Sequence, residues 1–392
     1  MMKKNFAKMF MASTLLAGVL AGCSGAKDNA SSGDTIKLGV NLELSGGVAS
    51  YGESIASGVN LAVDEINKKG GVDGKKLEVV KVDNKSDAAE ATNGAIKLTS
   101  QDKVTAIIGA ATSGDTVAQA EIADSNKTIL LTPSGTAPNV TVTDKGKLNE
   151  FVFRTSFIDP FQGTVAANFA ANNLKVKKVA IFADSASDYA KGLAASFKKT
   201  FEKAGGKVVS EEAYVAKDTD FRATLTRIKA ANPEFIFIPG YYEEVGLIVK
   251  QARELGITAP LMGADGWDSP KLVDLAGKDA LNNTYITNHY SSDDQDKKVQ
   301  TFVTAFKAKN SGTAPNAFNA LGYDSVYLLA DAIKRAGSTD TTKIKEALEK
   351  TKDLSLVTGT VTIDKNHNPI KSATVLEYKD GKQVFNSKVA PQ

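Results

Sequence analysis

Two short loops carry the chemistry that this sequence offers. The first, Ala110-Ala111-Thr112-Ser113-Gly114, follows an apolar run, Thr105–Gly109, that reads as a strand, and it leads into a helical pattern. The second, Thr132-Pro133-Ser134-Gly135-Thr136, follows the next such run, Thr128–Leu131. Small residues let a ligand approach the backbone, and the free N–H groups of a helix's first turn attract an anion. In parallel sheets the carboxyl ends of the strands are where ligands bind. Both loops are rich in hydroxyls and hold no Lys or Arg, so a carboxylate suits them better than a multiply charged phosphate. The competing reading of either loop alone is an ordinary cap or turn. Asp265, in Met262-Gly263-Ala264-Asp265-Gly266-Trp267, follows a further predicted strand, Pro260–Gly263. It is either a turn residue before Gly266 or an anion placed for a cationic group.

Catalytic chemistry finds little support. A hydrolase needs a nucleophile with a base. Ser113 sits in Thr-Ser-Gly-Asp, without a Gly-x-Ser-x-Gly elbow. The two histidines, His289 and His367, read as surface or strand-end residues, and nothing pairs with Asp265 so as to split two pKa values. One Cys excludes an intrachain disulfide, and one Cys with two His leaves no cluster for zinc. The glycine pairs at 46–47, 70–71 and 205–206 belong to turns, with no dinucleotide fingerprint and no Walker pattern. No metal or cofactor is expected. Lys3, Lys4 and Lys8 account for the whole excess of 48 basic over 45 acidic residues, so the body is electroneutral and a nucleic-acid partner is not expected.

Those three lysines precede an apolar run, Phe10–Leu20, too short to span a bilayer as a stable helix. The run ends in Leu20-Ala21-Gly22-Cys23, and Cys23 is the single cysteine of the chain. This resembles a bacterial lipoprotein cleavage box, which makes 1–22 a signal peptide and Cys23 the acylated N-terminus; a plain secretory signal is the alternative. A body without cysteine suits an extracytoplasmic protein, and the thiol is the group that is lipidated. Residues 23–34 are rich in Ser, Gly and Ala and read as a flexible tether. The expectation is an exported protein tied to the outer face of the membrane.

The loops need a scaffold, and the 392 residues supply one. From Thr35 onward, strand candidates (Ile36–Leu42, Leu77–Val82, Thr105–Gly109, Thr128–Leu131, Lys178–Ala183, Val208–Val215, Phe235–Pro239, Tyr285–Thr287) alternate with helix candidates. The helices are expected near Gly52–Lys68, Asp87–Ser100, Thr116–Ser125, Phe161–Asn173, Tyr189–Lys203, Phe221–Ala230, Glu243–Leu255 and Asp296–Lys309. Continuous apolar strands between amphipathic helices indicate βαβ units and parallel sheets covered on both faces. There are more units than one sheet usually carries, so two lobes are expected, with a first crossing at Val152–Ser156 before Asp159-Pro160. The closing stretch differs: Leu356–Asp364 and Thr374–Tyr378 are strand-like, and Asp380-Gly381 is a hairpin turn. No tandem repeat of fixed period is evident.

A resemblance spans nearly all of the chain beyond the tether. It is carried by LGVNLELSGGVASYGES (38–54), GVNLAVDEINKKGGVDGKKLEVVKVDN (58–84), AIIGAATSGDT (106–116), LLTPSGTAPN (130–139), RTSFIDPFQG (154–163), SDYAKG (187–192), IPGYYEEVGLIVKQARELGI (238–257), MGADGW (262–267) and ALGYDS (320–325). These are similar to the solute-binding lipoproteins of branched-chain amino-acid ABC importers, of the type I periplasmic binding protein family. The resemblance implies two doubly wound parallel α/β lobes joined by three crossover strands, with lobe 1 at 35–155 and 288–368 and lobe 2 at 156–287 and 369–392. It implies that Ser113 and Thr136 bond an α-carboxylate, with backbone groups from Ala111, Ser134 and Gly135. Asp265 would meet an α-ammonium, although many relatives carry Glu there. Tyr189 and Tyr241 would flank the amino-acid backbone, and Tyr51 and Phe318 would wall its side chain. The implied partners are leucine, isoleucine or valine and an ABC permease, bound by a monomer. A receptor for a small amide or another amino acid that feeds a membrane sensor, and a hydrolase using the same cleft, are the alternatives.

Overall fold

The computed structural model describes residues 35–391. The signal segment, Cys23 and the tether lie outside the described residues. The first lobe is built on a five-stranded parallel sheet of β1 (Thr35–Leu42), β2 (Lys76–Asp83), β3 (Ala106–Gly109), β4 (Ile129–Thr132) and β5 (Val152–Arg154), in the order β2-β1-β3-β4-β5. Successive side chains of a strand point to opposite faces, and both faces here are apolar. Leu38, Val40, Ile108, Leu131 and Phe153 enter one core, while Ile107, Leu130 and Val152 enter another with Leu98 and Ala123. That double burial is what the uninterrupted apolar runs require.

The second lobe repeats this winding without repeating the sequence. Its strands are β6 (Lys178–Asp184), β7 (Lys207–Tyr214), β8 (Phe235–Phe237), β9 (Leu261–Gly263) and β10 (Thr284–Asn288), in the order β7-β6-β8-β9-β10. The chain then returns to the first lobe for the helices Lys297–Lys309, Ala317–Ala336 and Thr341–Glu349, and for a small sheet of β11 (Leu354–Leu356), β12 (Gly359–Ile363) and β13 (Pro369–Ile370). It ends in β14 (Ala373–Lys379) and β15 (Lys382–Val389), an antiparallel pair that extends the second sheet beside β10. The chain thus passes between the two sheets three times, after β5, after β10 and after β13. Asp380 and Gly381, with φ of 50° and 75°, form the β14–β15 turn that the sequence indicates.

The differences from expectation have physical causes. Leu356–Asp364 is not one strand, because Val357 and Thr358 turn the chain between β11 and β12. The Asp324 carboxylate holds that turn by accepting from the Val357 and Thr358 amides at 2.9 and 2.7 Å. Three helices were not expected: Pro270–Ala276, Ala317–Ala336 and Thr341–Glu349. Ala317–Ala336 is buried around most of its circumference and so lacks the polar face that marks an amphipathic helix. Gly58 and Gly322 let it lie against the helix Ala49–Lys68. A Cβ on Gly58 would stand 1.9 Å from the Asn319 carbonyl oxygen, and one on Gly322 2.4 Å from that of Ile55.

Candidate ligand-binding site

Both hydroxyl-bearing loops lie at the carboxyl ends of their strands. Thr112 caps the helix Ser113–Ser125, its side chain accepting from the Asp115 amide. An internal acid already serves part of this loop. Glu43, at the end of β1, is buried and accepts from the Ala111 and Thr112 amides, each at 2.9 Å, and from the Thr112 hydroxyl at 2.9 Å. The Ala111 amide is therefore already engaged within the chain. Burial first, then the nearby Glu43 carboxylate, pushes Asp115 up to about 8.

The second loop is braced from below. Arg154, fully buried, donates to the Gly135 carbonyl at 2.6 Å, the Ala137 carbonyl at 2.9 Å and the Thr141 hydroxyl at 3.2 Å. Burial brings its pKa down to about 10. The Gly135 amide donates to the Thr132 hydroxyl at 2.8 Å, so both its backbone polar groups are engaged inside the chain. Ser134 ties the loops together by donating to the Ala111 carbonyl at 2.7 Å, and Ser113 accepts from the Ala137 amide at 3.1 Å. The Thr136 hydroxyl is buried and has no hydrogen-bond partner in the chain. Such a group is costly unless something else satisfies it.

Facing these loops, Asp265 begins a single 3-10 turn after β9 and is 3 % exposed. One carboxylate oxygen accepts from the Tyr189 hydroxyl at 2.8 Å and the Gln162 amide at 3.0 Å; the other lies 3.0 Å from His289 Nε2. Gln162 also accepts from the Asp265 amide at 3.1 Å, fixing the backbone. His289 follows β10 but is buried, stacked on Phe157 at 3.7 Å, and burial lowers its pKa, so it meets Asp265 as a neutral ring. His367 is buried too, with Nδ1 3.0 Å from the Val152 carbonyl. His289 does end a strand, as one of the two expected placements has it, but neither ring is at the surface: His289 stacks on Phe157 with Nδ1 unpartnered, and His367 stacks on Phe153 with Nε2 also 3.3 Å from a Glu349 carboxylate oxygen.

The aromatics close the space between the lobes. Tyr51, in the first turn of Ala49–Lys68, stacks on Phe318 at 4.4 Å and meets Tyr241 edge-on at 5.8 Å, while Tyr189 stacks on Tyr241 at 5.2 Å. The Tyr51 hydroxyl donates to the Gly266 carbonyl and accepts from the Tyr242 amide at 3.2 Å, and Tyr242 in turn donates to the Gly47 carbonyl at 2.9 Å. The resulting small cavity is lined by Tyr51, Ala111, Ser113, Ser134, Tyr189, Tyr241, Asp265, Gly266 and Phe318. Gly135 and Thr136 stand behind that lining. Trp267 belongs to the core, its indole N–H donating to the Ile238 carbonyl at 2.9 Å. A wider groove beside the cavity carries Glu53, Lys217, Asp218 and Lys271 in solvent, and no unsatisfied buried side chain among the described residues lines it. The narrow cavity is where polar groups converge.

Sequence reasoning missed Glu43, Gln162 and His289. Glu43 had a signal, as a lone acid between apolar residues at the end of a strand; the other two had none.

Two wound α/β lobes with a polar and aromatic cavity between their strand ends define a venus-flytrap type of binding protein. The family model for periplasmic binding protein matches residues 35–383, and the chain belongs to that family. It is similar to the leucine-, isoleucine-, valine-, threonine- and alanine-binding protein of Pseudomonas aeruginosa, at 35% identity over 80% of this chain and 82% of that one. Among solved structures, it resembles the branched-chain amino acid transporter substrate-binding protein LivJ of Streptococcus pneumoniae in complex with isoleucine, at 42% identity and a TM-score of 0.85, covering 91% of this chain and all of the other. The leucine-binding protein LivK of Thermotoga maritima is similar at 38% identity and a TM-score of 0.85, over 91% of this chain and 99% of that one.

Proposed function

We propose that this chain is an exported, lipid-anchored receptor that binds a branched-chain aliphatic amino acid and delivers it to an ABC permease. The observation that carries this reading is the polarity of one closed cavity. Ser113, with the unpartnered Thr136 hydroxyl near it, stands on one lobe and the Asp265 carboxylate on the other, and aromatic rings lie between. A zwitterion with an apolar side chain fits that pattern. Ser113 and the Thr136 backbone and hydroxyl would take the carboxylate, Asp265 the ammonium, and Tyr51 and Phe318 the side chain. The names of the similar proteins point to the same ligand class.

Each pole must be paired, because a buried unpaired charge costs several kcal/mol. The aliphatic side chain contributes about 1.5–3 kcal/mol when fully buried. Ligand contacts drawn from both lobes are complete only when the lobes are together, so closure is the state a permease would read. The lobes would divide at 35–155 with 288–368 and at 156–287 with 369–392. Cys23 would hold the body at the outer face of the membrane, and the site would bind rather than transform its ligand. Titration calorimetry of the purified chain against the twenty amino acids tests the reading. Heat from leucine, isoleucine or valine is expected, and no heat from any amino acid would overturn it.

A further inference from the structure

Tyr242 lines no part of the small cavity, yet it joins the two lobes beside it. It opens the helix Tyr242–Glu254 of the second lobe and lies in the wall of the wider groove. Its hydroxyl donates to the Gly47 carbonyl at 2.9 Å and accepts from the Ser50 amide at 3.4 Å, both in the first lobe. Its ring meets Tyr51 edge-on at 5.0 Å. At 5 % exposure, the whole residue is packed between the lobes.

The first turn of the helix Ala49–Lys68 is short of partners inside its own lobe. A helix leaves its leading N–H groups unsatisfied, and Val48, at the cap, supplies no side-chain acceptor. The Ser50 amide finds its acceptor across the cleft, in Tyr242. The Ser50 hydroxyl does likewise, 2.8 Å from that of Ser269, which is buried and also lies outside the cavity lining. Another polar contact between the lobes, from Asn139 to Asp188 at 2.8 Å, is exposed, so water can replace it. The contacts of Tyr242 and Ser269 are sheltered and exist only while the lobes are together. They hold the turn that carries Tyr51 into the cavity.

We propose that Tyr242, with Ser269 on the same turn, is a positioning residue for ligand binding: its hydroxyl latches the lobes beside the cavity and slows the escape of a bound amino acid without touching it. The inference rests on the amino-acid reading above. Opening the lobes exchanges these bonds for bonds to water, so each adds only a modest net stabilisation to the closed form. Because they involve no atom of the ligand, that stabilisation is the same for leucine, valine and alanine. It enters the dissociation rate, since escape from a closed cavity requires the lobes to part, whereas entry into the open form does not meet the latch. A residue that merely supported the fold would instead lower the stability of the ligand-free chain.

The test is stopped-flow measurement of leucine, valine and alanine binding by the wild-type chain, Tyr242→Phe and Ser50→Ala, beside thermal unfolding without ligand. The phenyl ring keeps the packing on Tyr51 and removes only the hydroxyl. Ser50→Ala leaves the second lobe intact and removes the contact with Ser269. Both variants are expected to release leucine about threefold to tenfold faster. Association should stay within about twofold of the wild type, ligand-free unfolding should be unchanged, and all three ligands should be released faster by the same factor. Dissociation from Tyr242→Phe within about twofold of the wild type would overturn the proposal. So would an acceleration that differs among the three ligands, which marks a direct contact. Should Tyr242→Phe not fold, Ser50→Ala decides alone by the same two criteria. A wild type that binds none of the three would instead refute the parent reading, so the two failures are distinct.

Discussion

Replacing Asp265 by Asn separates charge from shape at the centre of the cavity. The amide is isosteric with the carboxylate, and its oxygen can still accept from the Tyr189 hydroxyl and the Gln162 amide, which lie 2.8 and 3.0 Å from one carboxylate oxygen. Its nitrogen then faces His289 Nε2, 3.0 Å away, and a shift of tautomer turns that nitrogen into an acceptor and places the proton on the unpartnered Nδ1. The local hydrogen bonds can therefore survive, and thermal stability without ligand should change little. A ligand ammonium fares differently, because it loses a counter-charge in a site only 3 % exposed. Breaking one side of a buried ion pair costs about 3–5 kcal/mol, which at 1.4 kcal/mol per decade is roughly a hundredfold to several-thousandfold in affinity. The assay is leucine titration beside thermal unfolding. In the wild type, ligand at about 100 times Kd adds about 2.7 kcal/mol of stability, and this shift should vanish in Asp265→Asn at the same concentration. Retained leucine affinity within about threefold in a folded variant would refute the ammonium assignment and favour a neutral amide ligand.

Other substitutions probe the remaining parts. Thr136→Val removes a buried hydroxyl that the proposed function assigns to the ligand's common backbone, so leucine, valine and alanine should all weaken by a similar factor, worth about 1–3 kcal/mol; a loss confined to one of them would move Thr136 to the side-chain pocket. Phe318→Ala withdraws the ring stacked 4.4 Å from Tyr51 and should reorder leucine, valine and alanine instead of weakening them equally, as a binding matrix would reveal. Asp115, raised by burial to about 8, keeps its proton in the folded state where the unfolded chain has lost it, so its contribution to stability is complete below about pH 4 and disappears as pH rises to about 8. Asp115→Asn should flatten that decline, whose slope is at most about 1.4 kcal/mol per pH unit, in denaturant unfolding measured across this range. Cys23→Ser should convert a membrane-associated product into a soluble or uncleaved one, since stable anchoring takes more than one acyl chain; undiminished membrane retention would sink the lipoprotein reading.

What was legible in the sequence follows from distance along the chain. The hydroxyl loops were visible because each sits at the end of its own apolar strand, and eight of the ten residues expected in the site line one cavity. The groups that hold the site in place were not visible. Glu43 reaches the Ala111 amide across 68 positions, and Gln162 reaches Asp265 across 103, so no local pattern joins them. The burial of His289 was hidden for another reason. A lone histidine after a strand looks the same in sequence whether it faces water or a buried acid, and only the packing of Phe157 against its ring decides.

The unexpected helix Ala317–Ala336 ties two walls of the cavity into one frame. Its start is fixed by Asn316 and Asn319, which cap it reciprocally, and this sets the position of Phe318. The amide of Ala317, next to that ring, donates to the Asp268 carboxylate at 2.8 Å, and the same oxygen accepts from Asn288 at 2.9 Å. Asp268 lies three residues after Asp265 and its amide donates to the Asp265 carbonyl at 2.9 Å. The segment that presents the acid of one lobe is therefore bonded directly to the helix that presents the aromatic wall of the other. Any motion that withdraws Asp265 from the cavity while Phe318 stays in place must break the Asp268–Ala317 bond, so the ammonium and side-chain contacts proposed above would be coupled through a buried carboxylate that need touch neither.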